Sequence, residues 1–123
     1  MTKNKKSAGP DKLELILEAL KEKKGKEIVT INLEKVDHAI CDYFVICHGE
    51  STTQVDALSE AVYAKLKSEH KIVAHHIEGK ENSLWILIDY FDIVVHVFLQ
   101  EKRSFYNLED LWADGKLERI EDK

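Results

Sequence analysis

The segment that most constrains the fold of this chain is LWILIDYFDIVVHVFLQ, which begins at Leu84. It contains two apolar runs, residues 84–89 and 92–99, with a two-residue gap between them. Such a pair of runs is typical of a β-hairpin, in which alternate side chains point to opposite faces. Four of its residues are unusual in buried strands: Trp85, Asp89, Asp92 and His96.

Taking the two aromatic residues between the runs as the turn fixes which residues face each other across the hairpin. Trp85 then lies opposite His96, and Asp89 lies opposite Asp92. Every unusual residue therefore falls on one face of the hairpin. The other face is wholly aliphatic and is predicted to be core, with Ile86, Ile88, Ile93 and Val95 as its members.

The paired acids and the tryptophan each have two interpretations. Like charges that face each other across a sheet cost roughly 0.2–1 kcal/mol, so Asp89 and Asp92 are either well solvated at the turn or contact a positively charged partner. Trp85 is either at the rim of the core or an interface anchor, since tryptophan is enriched at binding hot spots. The residues alone leave both alternatives open.

The rest of the chain completes an α/β domain. Periodicity and capping signals predict the order α-β-β-α-β-β-β-α, which corresponds to a mixed β-sheet of about five strands with packed helices. Residues 1–10 are predicted to be a disordered basic tail and residues 114–123 a C-terminal tail, so the domain occupies residues 11–113. The predicted helices begin at Asp11 and cover residues 52–69 and 103–112. The other predicted strands cover residues 27–33, 43–49 and 71–77.

Charge and hydropathy restrict the partners of the chain. Its 123 residues carry a formal net charge of −5 although the first ten contain three lysines and no acid, so the body is strongly acidic. An acidic surface repels nucleic-acid phosphates and fits a basic protein partner better. No apolar run approaches the ~18 residues of a membrane span, and no signal-type core follows the N-terminus, so we expect a cytoplasmic protein without membrane contact.

Metal-binding and nucleophilic signatures are missing from the sequence. His75 and His76 are adjacent on a predicted strand and point to opposite faces, so they cannot share a metal ion. Cys41 and Cys47 are interpreted as reduced thiols, and apolar neighbours would raise a thiol pKa instead of activating the group. We therefore predict no metal, cofactor or catalytic residue.

One enzyme class stays open as the alternative to a binding protein. The residues 49–51 before the second helix are typical of a nucleotidyltransferase loop, and such enzymes need closely spaced carboxylates that hold two metal ions. The D-x-D that should follow is absent. A nucleotide-binding or nucleotidyltransferase-like enzyme is therefore the alternative prediction.

Five short motifs, in order and with matching spacing, resemble the ribosomal silencing factor family, which is also called the Iojap family. The resemblance covers about residues 11–113. The motifs are DYFVI (42–46), GESTTQV (49–55), IEG (77–79), WILIDYFDIVVHVF (85–98) and RSFYNLEDLW (103–112).

The resemblance implies a translation regulator that is not an enzyme, on a nucleotidyltransferase-like fold without the catalytic carboxylates. The resemblance implies binding to a basic protein of the large ribosomal subunit, the one numbered fourteen. Bound there, such a protein would block joining of the small subunit when nutrients are scarce. The implied partner is the large subunit, and a homodimer stays possible.

The resemblance also assigns partner-binding residues. Trp85 matches the family's tryptophan before the acidic hairpin, and we assign it as an interface anchor. Asp89 and Asp92 match two acids that would meet Lys or Arg, and Tyr90 is expected at the exposed tip. Phe91 stands where the family commonly has Gly, so either the turn differs or Phe91 itself contacts the partner. The remaining candidates are His96, which would shape the Trp pocket, and Arg103 and Tyr106, whose role could equally be local packing.

Overall fold

The computed structural model describes residues 11–121 as one sheet with packed helices; the predicted tail 1–10 lies outside the described residues, as do residues 122 and 123. None of the helices in this range is long and apolar enough to cross a membrane. The helices are α1 (Lys12–Glu22), α2 (Thr52–His70), α3 (Gln100–Tyr106) and α4 (Leu108–Leu111). The strands are β1 (Lys26–Asn32), β2 (Tyr43–Gly49), β3 (His76–Glu78), β4 (Trp85–Asp89), β5 (Ile93–Leu99) and β6 (Lys116–Arg119).

The sheet has six strands in the order β3-β4-β5-β2-β1-β6. The two central strands, β2 and β5, run parallel, and every other neighbouring pair is antiparallel. Both central strands are buried along almost their whole length, as expected of strands that are covered on both faces. The predicted α/β class with a mixed sheet is confirmed, with six strands where about five were predicted.

Helices α1 and α2 cover one face of the sheet, which we call the helix face. Both helices begin directly after a residue whose side chain caps the helix, Asp11 for α1 and Ser51 for α2. The Asp11 carboxylate accepts a hydrogen bond from the Leu13 N–H, and the Ser51 hydroxyl accepts one from the Gln54 N–H. The core on this face contains the four predicted hairpin residues, each at most 4% exposed: Ile86, Ile88, Ile93 and Val95.

The opposite face of the sheet has a thinner cover, and we call it the thin face. Its core includes Phe44 and Phe98, and it is covered by the loop 33–42 together with α3 and α4. Trp85 and Leu87 pack against this core but are only half-buried. The thin face therefore leaves part of its aromatic surface open to solvent.

The β4–β5 hairpin has a different turn from the predicted one. The residue opposite His96 is Leu87 instead of Trp85, and Asp89 does not face Asp92. The prediction was wrong because the loop begins one residue later than expected. A shift of one residue in each strand moves the pairing by two positions and keeps each side chain on its own face, so the predicted faces are correct.

Three other predicted boundaries were wrong. The strand expected over 71–77 is reduced to the three residues of β3, and the preceding segment is irregular. The predicted C-terminal tail contributes β6, which pairs with β1. The final helix is divided into α3 and α4 at Asn107, which has a φ of +49°.

Candidate partner-binding site

Trp85 forms the centre of an aromatic cluster on the thin face. Its ring centroid lies 4.9 Å from that of Phe98 and 4.6 Å from that of Tyr106. Its indole N–H donates a hydrogen bond to Nδ1 of His96 at 3.1 Å. Trp85 is half-buried and Tyr106 is 45% exposed, so the two rings form an aromatic surface that solvent can reach. The hydrogen bond to His96 and the packing on Phe98 fix the orientation of the Trp85 ring. We call these four residues the Trp85 cluster.

The backbone of Trp85 is positioned by the turn between β3 and β4. Gly79 has a φ of +91°, and a Cβ at this position would collide with the carbonyl oxygen of Trp85. Both the conformation and the space therefore require glycine. Gly79 is the last residue of the IEG motif, and its missing side chain allows the turn to lie directly against the peptide group of Trp85.

His96 is a buried member of the cluster, at 4% exposure. Burial disfavours the charged imidazolium and lowers the pKa of His96 to about 4. Because Nδ1 of the neutral ring accepts the indole N–H, the ring proton is on Nε2. Nε2 has no hydrogen-bond partner among the described residues, and the ring meets Phe44 edge-to-face at 4.6 Å. His96 therefore orients the indole of Trp85 and carries no charge at neutral pH.

The two acids near the hairpin tip have partners within the chain. The Asp89 carboxylate accepts the N–H of Phe91 at 2.8 Å, and Asp92 forms an ion pair with Lys12 at 2.7 Å. Each acid therefore stabilises local structure. A carboxylate can accept several hydrogen bonds, so neither contact prevents a second donor from binding.

Tyr90 was expected at the exposed tip, and that prediction was wrong. Tyr90 is 2% exposed and belongs to the core of the helix face, where burial raises its pKa to about 12. Its N–H donates to the carbonyl of Ile93 at 2.8 Å, so it continues the strand ladder and precedes the loop. Phe91 occupies the tip instead and is 67% exposed.

Arg103 is buried, at 7% exposure, and connects three elements. Its guanidinium donates to the carboxylate of Glu109 at 2.7 and 3.0 Å, to the carbonyl of Lys26 at 3.3 Å and to Nδ1 of His48 at 3.0 Å. Burial and the neighbouring guanidinium lower the pKa of His48. Of the two roles that the sequence left open for Arg103, the structure shows local packing.

Two apolar residues of the C-terminal helices are exposed. Phe105 is 76% exposed and meets Tyr106 edge-to-face, and Leu111 on α4 is 72% exposed. Both lie within the segment 103–112, which the sequence predicted as one helix. The left-handed conformation of Asn107 ends α3. Beyond this break, Leu108 is buried in the core of the thin face and Trp112 packs against it.

The described residues include metal-ligating residue types and two thiols. Within residues 11–121 no group of three or more His, Cys, Asp or Glu is arranged to hold a metal ion. Cys41 and Cys47 are free and buried, and burial raises their pKa values to about 11 and about 12. Thiols with raised pKa values are weak nucleophiles at neutral pH.

The fold and the Trp85 cluster define a small α/β domain with an aromatic surface site. Residues 6–123 match the model of the family described as "Ribosomal silencing factor during starvation". The ribosomal silencing factor RsfS of Halalkalibacterium halodurans is 39% identical over 109 residues, which cover 89% of this chain and 92% of that protein. The chain therefore belongs to the ribosomal silencing factor family, and the resemblance carried by the five motifs is confirmed.

Two further relatives extend the comparison. The crystal structure of a protein from Chromobacterium violaceum superposes with a TM-score of 0.78 at 35% identity, and the match covers 83% of each chain. A mouse protein named "Mitochondrial assembly of ribosomal large subunit protein 1" is 30% identical over 104 residues, which cover 82% of this chain and 45% of the mouse protein. The similarity thus extends to a eukaryotic organellar protein.

Proposed function

We propose that this protein is a translation repressor that binds the large ribosomal subunit and blocks joining of the small subunit when nutrients are limiting. Membership of the silencing factor family supports the ribosomal target. The observation that supports the surface is the half-buried Trp85, which His96 orients and the exposed Tyr106 flanks. A side chain that is already fixed loses little entropy on binding, and aromatic anchors often dominate protein interfaces.

Within the large subunit, the proposed partner is the basic ribosomal protein numbered fourteen. The net charge of −5 favours encounter with a basic surface, because complementary charges raise the association rate. Asp89 and Asp92 would then meet Lys or Arg of the partner. The name of the mouse relative, which refers to the large subunit, supports this choice of subunit.

The protein would act in the cytoplasm by binding and not by catalysis. Two observations support this part of the proposal: the missing D-x-D after residues 49–51, and the burial of both thiols. Neither a cofactor nor a metal is needed for a mechanism in which the domain occupies a surface that the small subunit requires.

Trp85→Ala tests the proposed surface. We expect its affinity for isolated large subunits to fall about 30-fold or more, because truncating a central aromatic anchor costs at least ~2 kcal/mol. Equilibrium co-sedimentation measures the affinity, and circular dichroism of the free variant shows whether the domain is still folded.

Two further variants make this test specific. Tyr106→Ala removes a more exposed ring and leaves the bond between Trp85 and His96 in place. Leu117→Ala is a matched control, since Leu117 is a 40% exposed apolar residue on β6, four strands and about 19 Å from β4. We expect both aromatic variants to bind weakly and the control to bind normally. Equal binding by all three variants would place the interface elsewhere.

A further inference from the structure

Phe91 is in an unfavourable conformation that core packing does not explain. It is the first residue of the hairpin loop and has a φ of +73°, a region that bulky residues rarely adopt and glycine tolerates. Its side chain is nevertheless 67% exposed, so the ring contributes little to the core. An exposed aromatic side chain in a strained turn suggests a contact outside the chain.

The turn presents the ring of Phe91 in a defined orientation. The Phe91 N–H donates to the Asp89 carboxylate at 2.8 Å, and the Asp92 N–H donates to the carbonyl of Tyr90 at 2.9 Å. The ring of His75 lies against Phe91, with 4.1 Å between centroids and 34° between planes. One side of the ring is therefore supported by the protein, and the other side faces solvent.

The surroundings of this ring are acidic. Asp89 at the end of β4 and Asp92 in the loop lie on either side of it in the chain, and the side chain of Asp92 is 48% exposed. The face of an aromatic ring attracts a cation within about 6 Å, and nearby carboxylates add to that attraction. The nearby Lys12 ammonium pairs with Asp92 and lies 6.0 Å from the centroid of Tyr90.

We propose that the outer face of Phe91 receives an arginine or lysine side chain of the basic ribosomal partner, an inference that rests on the proposed function. This contact is distinct from the Trp85 cluster, because six residues of nearly extended chain place the two roughly 15–20 Å apart. Two anchors at this separation fix the orientation of the domain on its partner as well as its affinity.

Three substitutions separate a cation contact from other roles of Phe91. Phe91→Tyr keeps the aromatic face, Phe91→Leu keeps apolar volume without that face, and Phe91→Gly removes the side chain. In equilibrium co-sedimentation with isolated large ribosomal subunits, we expect Phe91→Tyr to bind within about twofold of wild type, and the other two to bind about 3- to 10-fold more weakly. Leu117→Ala again serves as the control that binds normally.

Thermal unfolding of the free variants gives a readout that a structural role would not produce. Glycine adopts a positive φ without strain, so we expect Phe91→Gly to melt at the wild-type temperature or above it. Weaker binding without a lower melting temperature assigns the ring to the partner and not to the fold.

Two results would overturn the inference. Wild-type affinity of Phe91→Leu would show that no cation is bound by the ring face. A melting temperature of Phe91→Gly that is lower by more than about 5 °C, the shift for roughly 1 kcal/mol, would show that the ring supports the fold. Failure of the wild-type protein to bind large subunits is a different result, and it would contradict the proposed function itself.

Discussion

At the scale of single residues, the buried His96 makes the stability of the domain depend on pH. The pKa of His96 is about 4 in the folded protein, whereas a histidine in an unfolded chain titrates near 6.5. Between these values the unfolded chain binds a proton that the folded chain does not, so stability falls as the pH decreases from about 6.5 toward 4. At about 1.4 kcal/mol for each pKa unit, the whole loss is at most about 3–4 kcal/mol.

His96→Phe should remove this part of the pH dependence. We expect the free energy of unfolding of the variant, measured in urea between about pH 7 and pH 4.5, to decrease less than that of the wild type. His48, whose pKa is also lowered, is present in both proteins and cancels in the comparison. Parallel curves would mean that His96 does not gain its proton on unfolding.

At the scale of elements, the two faces of β4 make different contributions to stability. Ile88 is fully buried on the helix face, while its neighbour Leu87 is half-buried on the thin face. We expect Ile88→Ala to lower the free energy of unfolding by about 2–5 kcal/mol, and Leu87→Ala to cost less because its side chain already contacts water. Chemical denaturation measures both. A loss under ~0.5 kcal/mol for Ile88→Ala, the range of surface substitutions, would contradict the burial of this face.

The alternation of residues was sufficient to predict both faces of this hairpin, since the two-residue period of a strand is fixed. It did not predict the turn. Phe91 adopts a positive φ that its residue type disfavours, and the bond that supports it comes from the side chain of Asp89. The strand β6 was missed because its four residues KLER are all exposed and give no apolar period. Its place in the sheet comes from backbone pairing with β1.

The candidate site, like the hairpin, was predicted only in part from the sequence. The sequence placed Trp85 and His96 on one face, and the structure joins them by a hydrogen bond although they are diagonal and not opposite in the ladder. It did not predict the burial of Arg103, because charged residues are rarely buried unless they are paired. The pairing with Glu109 spans the helix break at Asn107, which the periodicity of the sequence does not show.

At the scale of the whole molecule, the two faces of the sheet differ in how they are covered. The helix face holds the core formed with α1 and α2, and the thin face carries the Trp85 cluster at its open edge. Substitutions of the half-buried Trp85 and the exposed Tyr106 therefore leave the core of the helix face intact. The proposed binding surface can therefore be altered without unfolding the domain, and the proposed steric mechanism can be tested with folded variants.

The order in which components are added should decide whether the protein has an effect. A domain of this length is roughly 30 Å across by the compactness rule, which is too thick to fit within a contact between joined subunits. Added to free large subunits first, the protein should lower the yield of joined ribosomes in a sucrose gradient, and Trp85→Ala should not. Added after joining, it should have little effect until the subunits dissociate, because its site would be covered. If joined ribosomes were split or inhibited as fast as free subunits were captured, steric exclusion would be the wrong mechanism, and the domain would have to act on the assembled ribosome.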